Sequence, residues 1–140
     1  MVKQRLIRDD LPLDGDVEIL RAHLLDDDLL RRNAELNFEL YAFYGVSVFH
    51  PTGVWTKDRI LAEKLNNAAQ LTVFTVAALA ASGLEVLATG AEPHGDIVIL
   101  GTTGRNGEDP GDLDSLVSNV QSTEHRVEDN PHHRPEENPG

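Results

Sequence analysis

Two histidines stand at the ends of strand-like runs, His50 in VFHPTG and His94 in AEPHGDIVIL. An imidazole titrates near neutrality and can serve as a catalytic base or a ligand. Each histidine is followed two positions on by an oxygen-bearing side chain, Thr52 and Asp96. On a strand, positions i and i+2 share a face, so a two-histidine site is one reading. In the other, Pro51, Pro93 and Gly95 mark turns, and the histidines border them through bonds to nearby backbone.

Further polar groups follow in chain order: Arg21 in VEILRAHL, Ser47 in YGVSVF, and the carboxylates Glu85 and Glu92. The glycine-rich GTTGRNG could cradle an anion on its amides, but it lacks the Gly-Lys-Ser/Thr ending and runs into Glu108 and Asp109. Asp109, Asp112 and Asp114 depart from the order of a calcium loop and lack its distal glutamate. His132 and His133 could bind a transition metal weakly. No G-x-S-x-G elbow, H-E-x-x-H pair or dinucleotide fingerprint occurs.

Composition narrows the chemistry. The chain has no cysteine, so thiolate catalysis, disulfides and cysteine-held metals are excluded. Its 24 acidic and 12 basic residues give a formal charge of −12, the wrong sign for general binding to nucleic-acid phosphates. A basic protein partner suits it better. No apolar run has the length to span a bilayer. The opening MVKQRLIRDDLPLDGD breaks any signal-peptide core with acids and a proline, and a cytoplasmic location is expected.

The elements that must position these groups follow from period and punctuation. Residues 1–16 read as a flexible acidic arm, 17–121 as one α/β (or α+β) domain and 122–140 as a disordered polar tail with one aliphatic residue. Strands are expected at 17–21, 46–49, 71–75, 84–88 and 96–100. A long helix follows Asp26–Asp28, with one of these acids as its cap and Gly45 as its left-handed end. Further helices are expected from Thr56 to about Asn67, over the alanines before Ser82-Gly83, and from Asp112. Alternation of strand and helix predicts a mixed five-stranded sheet, parallel at the helical crossovers, with a final antiparallel hairpin. The aromatics from Phe38 to Trp55, Phe38 and Tyr41 among them, are expected to anchor the core.

Three resemblances bear on function. His50-Pro51-Thr52 and His94-Gly95-Asp96 resemble the paired H-x-T/S motifs of two-histidine phosphoesterases, with Pro51 and Asp96 departing from that pattern. Arg21, Ser47 and then Glu85 or Glu92 resemble the split NAD site of ADP-ribosyltransferases. Ala22 stands where that family has glycine, and its S-T-S and E-x-E motifs are absent. This resemblance implies NAD as a cofactor; without it none is expected. The pattern R-x-H, YGVSVF and PHxDIVIL also resembles small proteins of GC-rich actinobacterial genomes, a likeness that carries no site. The expected function is protein–protein interaction, with a protein partner or a homo-oligomer, as in one half of a two-gene regulatory or toxin–antitoxin-like pair. No nucleic-acid or membrane partner is expected.

Overall fold

Asp26, Thr56 and Asp112 each end an extended segment and start a helix. Their backbones are extended, and their side chains accept the otherwise unbonded amides of Leu29, Arg59 and Ser115, as N-caps do. In the computed structural model, residues 14–23, 25–101 and 111–133 are described. Most of the expected acidic arm, the GTTGRNG loop beyond Gly101 with Asp109, and residues 134–140 lie outside them. The order is β1 (Glu18–Ala22), α1 (Asp27–Tyr41), β2 (Val46–Phe49), α2 (Lys57–Glu63), β3 (Gln70–Thr75), α3 (Val76–Ala81), β4 (Leu84–Leu87), β5 (His94–Ile99), α4 (Leu113–Ser122) and β6 (Arg126–Asp129).

The α/β class is as expected, but the sheet has six strands in the order β4-β5-β2-β1-β3-β6. All five pairings are antiparallel, where parallel crossovers were expected. An apolar run reads the same in either direction, and the partner strand, which is distant in sequence, decides the sense. The sixth strand comes from the segment expected to be a disordered tail. β6 pairs with β3, from Val73 opposite Arg126 to Gln70 opposite Asp129. Asn130, just beyond, is buried, and its Nδ2 donates to the carbonyls of Leu65 at 2.8 Å and Ala68 at 3.1 Å. Pairing and polar contacts hold this segment in place of apolar content.

Helices cover both faces of the sheet. One face packs Ile19, Val46, Val48, Phe74, Leu84, Val86 and Ile97 against Leu30 and Ala34 of α1, Leu79 of α3, and Leu116, Val117 and Val120 of α4. The other packs Leu20, Leu71 and Val73 against Ile60 and Leu61 of α2 and Leu65 beyond it. Each such aliphatic side chain contributes about 1.5–3 kcal/mol when fully buried. The buried aromatics are Phe43 and Phe74. Phe38, expected in the core, is 38% exposed and stacks on Tyr44 at 4.6 Å, while Tyr41 is half-buried beside Phe43. The end of α1 also differs from expectation. Ala42, not Gly45, takes the left-handed conformation, with φ 65°, and its N–H reaches Phe38 O. Gly45 is needed for closeness instead, since a Cβ there would lie 2.7 Å from Asn37 Nδ2.

Candidate functional site

Arg21 and Ser47, far apart in sequence, meet where β1 and β2 part. The β1–β2 ladder consists of a single register pair, Leu20 with Phe49. His50 N donates to Pro93 O on the β5 side, so alternation turns the N–H and C=O of Ser47 toward β1. Side chains meet them there. Ser47 N donates to Asn33 Oδ1 at 2.7 Å, and Ser47 O accepts Arg21 Nη1 at 2.8 Å. Arg21 Nη1 also donates to Asn33 Oδ1 at 3.0 Å, and Asn33 Nδ2 to Ser47 Oγ at 3.2 Å.

Desolvation lowers the Arg21 pKa to about 10, because burial disfavours its charged form. Its Nε is buried without a hydrogen-bond partner among the described residues. The carboxylates expected to complete this site stand elsewhere. Glu85 is on the edge strand β4, which β5 and β2 separate from β1. Strands are spaced about 4.8 Å apart, so three steps exceed the reach of one side chain. Glu92 is exposed in the β4–β5 connection, near Gly53. Arg21, Asn33 and Ser47 can therefore hold an opened sheet together, but among the described residues neither Glu85 nor Glu92 stands beside them for ribose chemistry. Asn33 was missed in the sequence, where it is one polar residue within a helical run.

His50 and His94 lie on opposite faces of the sheet. Phe49 and His94 are register partners on β2 and β5 and meet edge-on, with centroids 5.6 Å apart. His50 is the next residue along and turns to the other face. It is fully buried there, next to Gly95, where an added Cβ would come within 3.3 Å of His50 Cδ2. His94 closes the hairpin. Its Nδ1 donates to Thr89 O at 3.0 Å and has Thr89 Oγ1 at 3.2 Å.

Behind His94 is a sealed polar cluster. Asp96 is fully buried and accepts from Thr89 Oγ1 at 2.6 Å and Asn37 Nδ2 at 2.9 Å. This ties α1 to the hairpin. Asn37 and Thr89 gave no sequence signal beyond polar residues at positions whose neighbours are apolar.

At the surface, Lys57 bridges Glu18 and Glu128, both at 2.9 Å, and Arg126 bonds the same two carboxylates. Burial alone would raise the Glu18 pKa. The bonds from Lys57 and Arg126 together outweigh it and hold the carboxyl below its usual value. Glu128 is lowered chiefly by its bond from Lys57. A groove of about 460 Å³ runs between Ala77, Ala78 and Ala81 and the segment Glu124–Arg126. His125 borders it, with Nδ1 donating to Thr123 O at 2.8 Å.

His132 pairs with Asp58 at 2.7 Å. Among the described residues no group of three His, Asp or Glu side chains could hold a metal ion, and no helix is long and apolar enough to cross a membrane. Compared with known proteins, the chain matches no family model, no curated protein and no solved structure.

Proposed function

We propose that this protein acts by contact with another protein, through the outer flank of α1. The observation that carries the reading is a stripe of leucines on that helix. Leu29, Leu36 and Leu40 are 44%, 52% and 36% exposed. At 100° per residue they fall within an arc of about 40°, so they form one line along the helix. Asp28, Arg32, Glu35 and Glu39 border the line, with acids in excess.

An apolar line with an acidic border suits a groove with a basic rim. The overall charge of −12 would steer the two together. The reading places the protein in the cytoplasm as one half of a two-gene pair. The enzyme alternatives have less support. The NAD-dependent reading keeps Arg21 beside Ser47 but has neither Glu85 nor Glu92 with them, and the two-histidine reading has its imidazoles on opposite faces.

The test is co-expression with the product of the neighbouring gene and measurement of the complex by light scattering. Leu36→Asp should abolish the complex while leaving the melting temperature unchanged, since the side chain is exposed. Full retention of the complex by Leu36→Asp would exclude the α1 flank as the contact.

A further inference from the structure

β6 is an edge strand whose outer side is open among the described strands. Asn130 N donates to Ala69 O, so residues 126, 128 and 130 turn their backbone groups to β3. Residues 125, 127 and 129 turn theirs outward. An unpaired row of N–H and C=O groups is a template for another strand.

The residues along this edge are His125-Arg126-Val127-Glu128-Asp129, two bases and two acids about a central valine. In an antiparallel pair of identical strands centred on Val127, Arg126 stands opposite Glu128 of the second copy, His125 opposite Asp129, and Val127 opposite itself. Neighbouring registers do not match. Centring on Arg126 opposes two arginines, centring on Glu128 opposes two glutamates, and half-step registers would turn inward-facing groups to outward-facing ones.

Val127 is 46% exposed, an apolar side chain that this register would cover with its own copy. Arg126, Lys57, Glu18 and Glu128 form a closed set of two cations and two anions. These four charges thus cancel at the centre of the seam, in a chain of net charge −12.

We infer that a second copy of this chain pairs antiparallel with β6 about Val127, joining two six-stranded sheets into one. Charges that usually guard an edge against pairing here select one register and one partner. The seam is distinct from the leucine flank of α1, so one copy can carry both contacts.

The proposal is tested on the full chain by sedimentation over a concentration series. A monomer–dimer equilibrium is expected. Val127→Pro removes an amide that points away from β3, so the β3–β6 ladder keeps its bonds. It should raise the dissociation constant at least about tenfold, the equivalent of one or two hydrogen bonds, with the circular dichroism of the native fold retained.

Because the chain has no cysteine, Val127→Cys adds one thiol at the two-fold axis. Directly paired Cα atoms lie about 5.5 Å apart, within disulfide range. Mild oxidation should link this variant, whereas Val54→Cys, in an exposed turn, should stay unlinked. A single-chain mass at every concentration overturns self-pairing, whether the edge then stays in water or takes a strand from another protein. So does equal linking of the two cysteine variants, or an unchanged dimer in folded Val127→Pro.

Discussion

Asn33 gives Ser47 the hydrogen bond that a neighbouring strand would otherwise supply. Its Oδ1 accepts Ser47 N at 2.7 Å while its Nδ2 donates to Ser47 Oγ. Asn33→Ala leaves that amide and one Arg21 donor without their acceptor, at a cost of about 1–3 kcal/mol. Asn33→Asp keeps the acceptor and adds a charge complementary to Arg21, so it should lose less than the alanine variant. Urea titration of both would decide, and an alanine variant as stable as the parent would show that the opening between β1 and β2 needs no such clasp.

Phe74 is buried in the main core and Phe38 lies at the surface on Tyr44. Phe74→Ala should therefore cost about 3–5 kcal/mol, and Phe38→Ala should cost clearly less. The ranking is read from thermal melts. The reverse order would mean that α1 turns a different side to the sheet.

Removal of residues 123–140 deletes β6 together with Asn130. Asn130→Ala alone strips the donors from the carbonyls of Leu65 and Ala68, and a loss of about 2 kcal/mol is expected. The truncated chain should lose more than that. If it melts with the full chain, β6 contributes nothing to the fold.

The carboxyls of Glu18 and Glu128 both sit below the ordinary value of 4.5. A carboxyl whose pKa is lowered on folding contributes stability that is complete above its unfolded pKa and disappears as the pH falls through its folded one. The gain should be full at neutral pH and fade below about pH 4.5. Glu128→Gln should accordingly melt below the parent at pH 7 and coincide with it in strong acid. A gap that persists at low pH would assign the loss to packing instead of charge.

The caps were legible because a cap is a local rule. Asp26, Thr56 and Asp112 needed only an oxygen three residues ahead of an unbonded amide. The β4–β5 hairpin was legible for the same reason, with its turn residues between two apolar runs. β6 was not. Four residues, Arg-Val-Glu-Asp, form a strand only because β3 offers an edge and Lys57 and Glu18 meet their charges. Strand direction was equally hidden, since helix between strands suits a parallel crossover and an antiparallel return alike. Of the candidate site residues, Arg21 and Ser47 come together, bonded directly and again through Asn33, which no motif marked. His50 and His94 resembled a pair only while the sheet's two faces were unassigned.

The strand order also sets how the chain must fold in time. Only β4 and β5 are joined by a short connection; Val46 must find Ile97, Glu18 must find Thr75, and Gln70 must find Asp129. Loop closure has to precede the reward of such contacts, so folding belongs in the millisecond-to-second range of sheet proteins and not in the microsecond range of helix bundles. Before β6 arrives, β3 is an exposed edge rich in apolar side chains, Leu71, Val73 and Phe74. A partly folded chain at that stage is the species most prone to mispair with another, and slowing the docking of β6 should raise aggregation during refolding before it alters the native state.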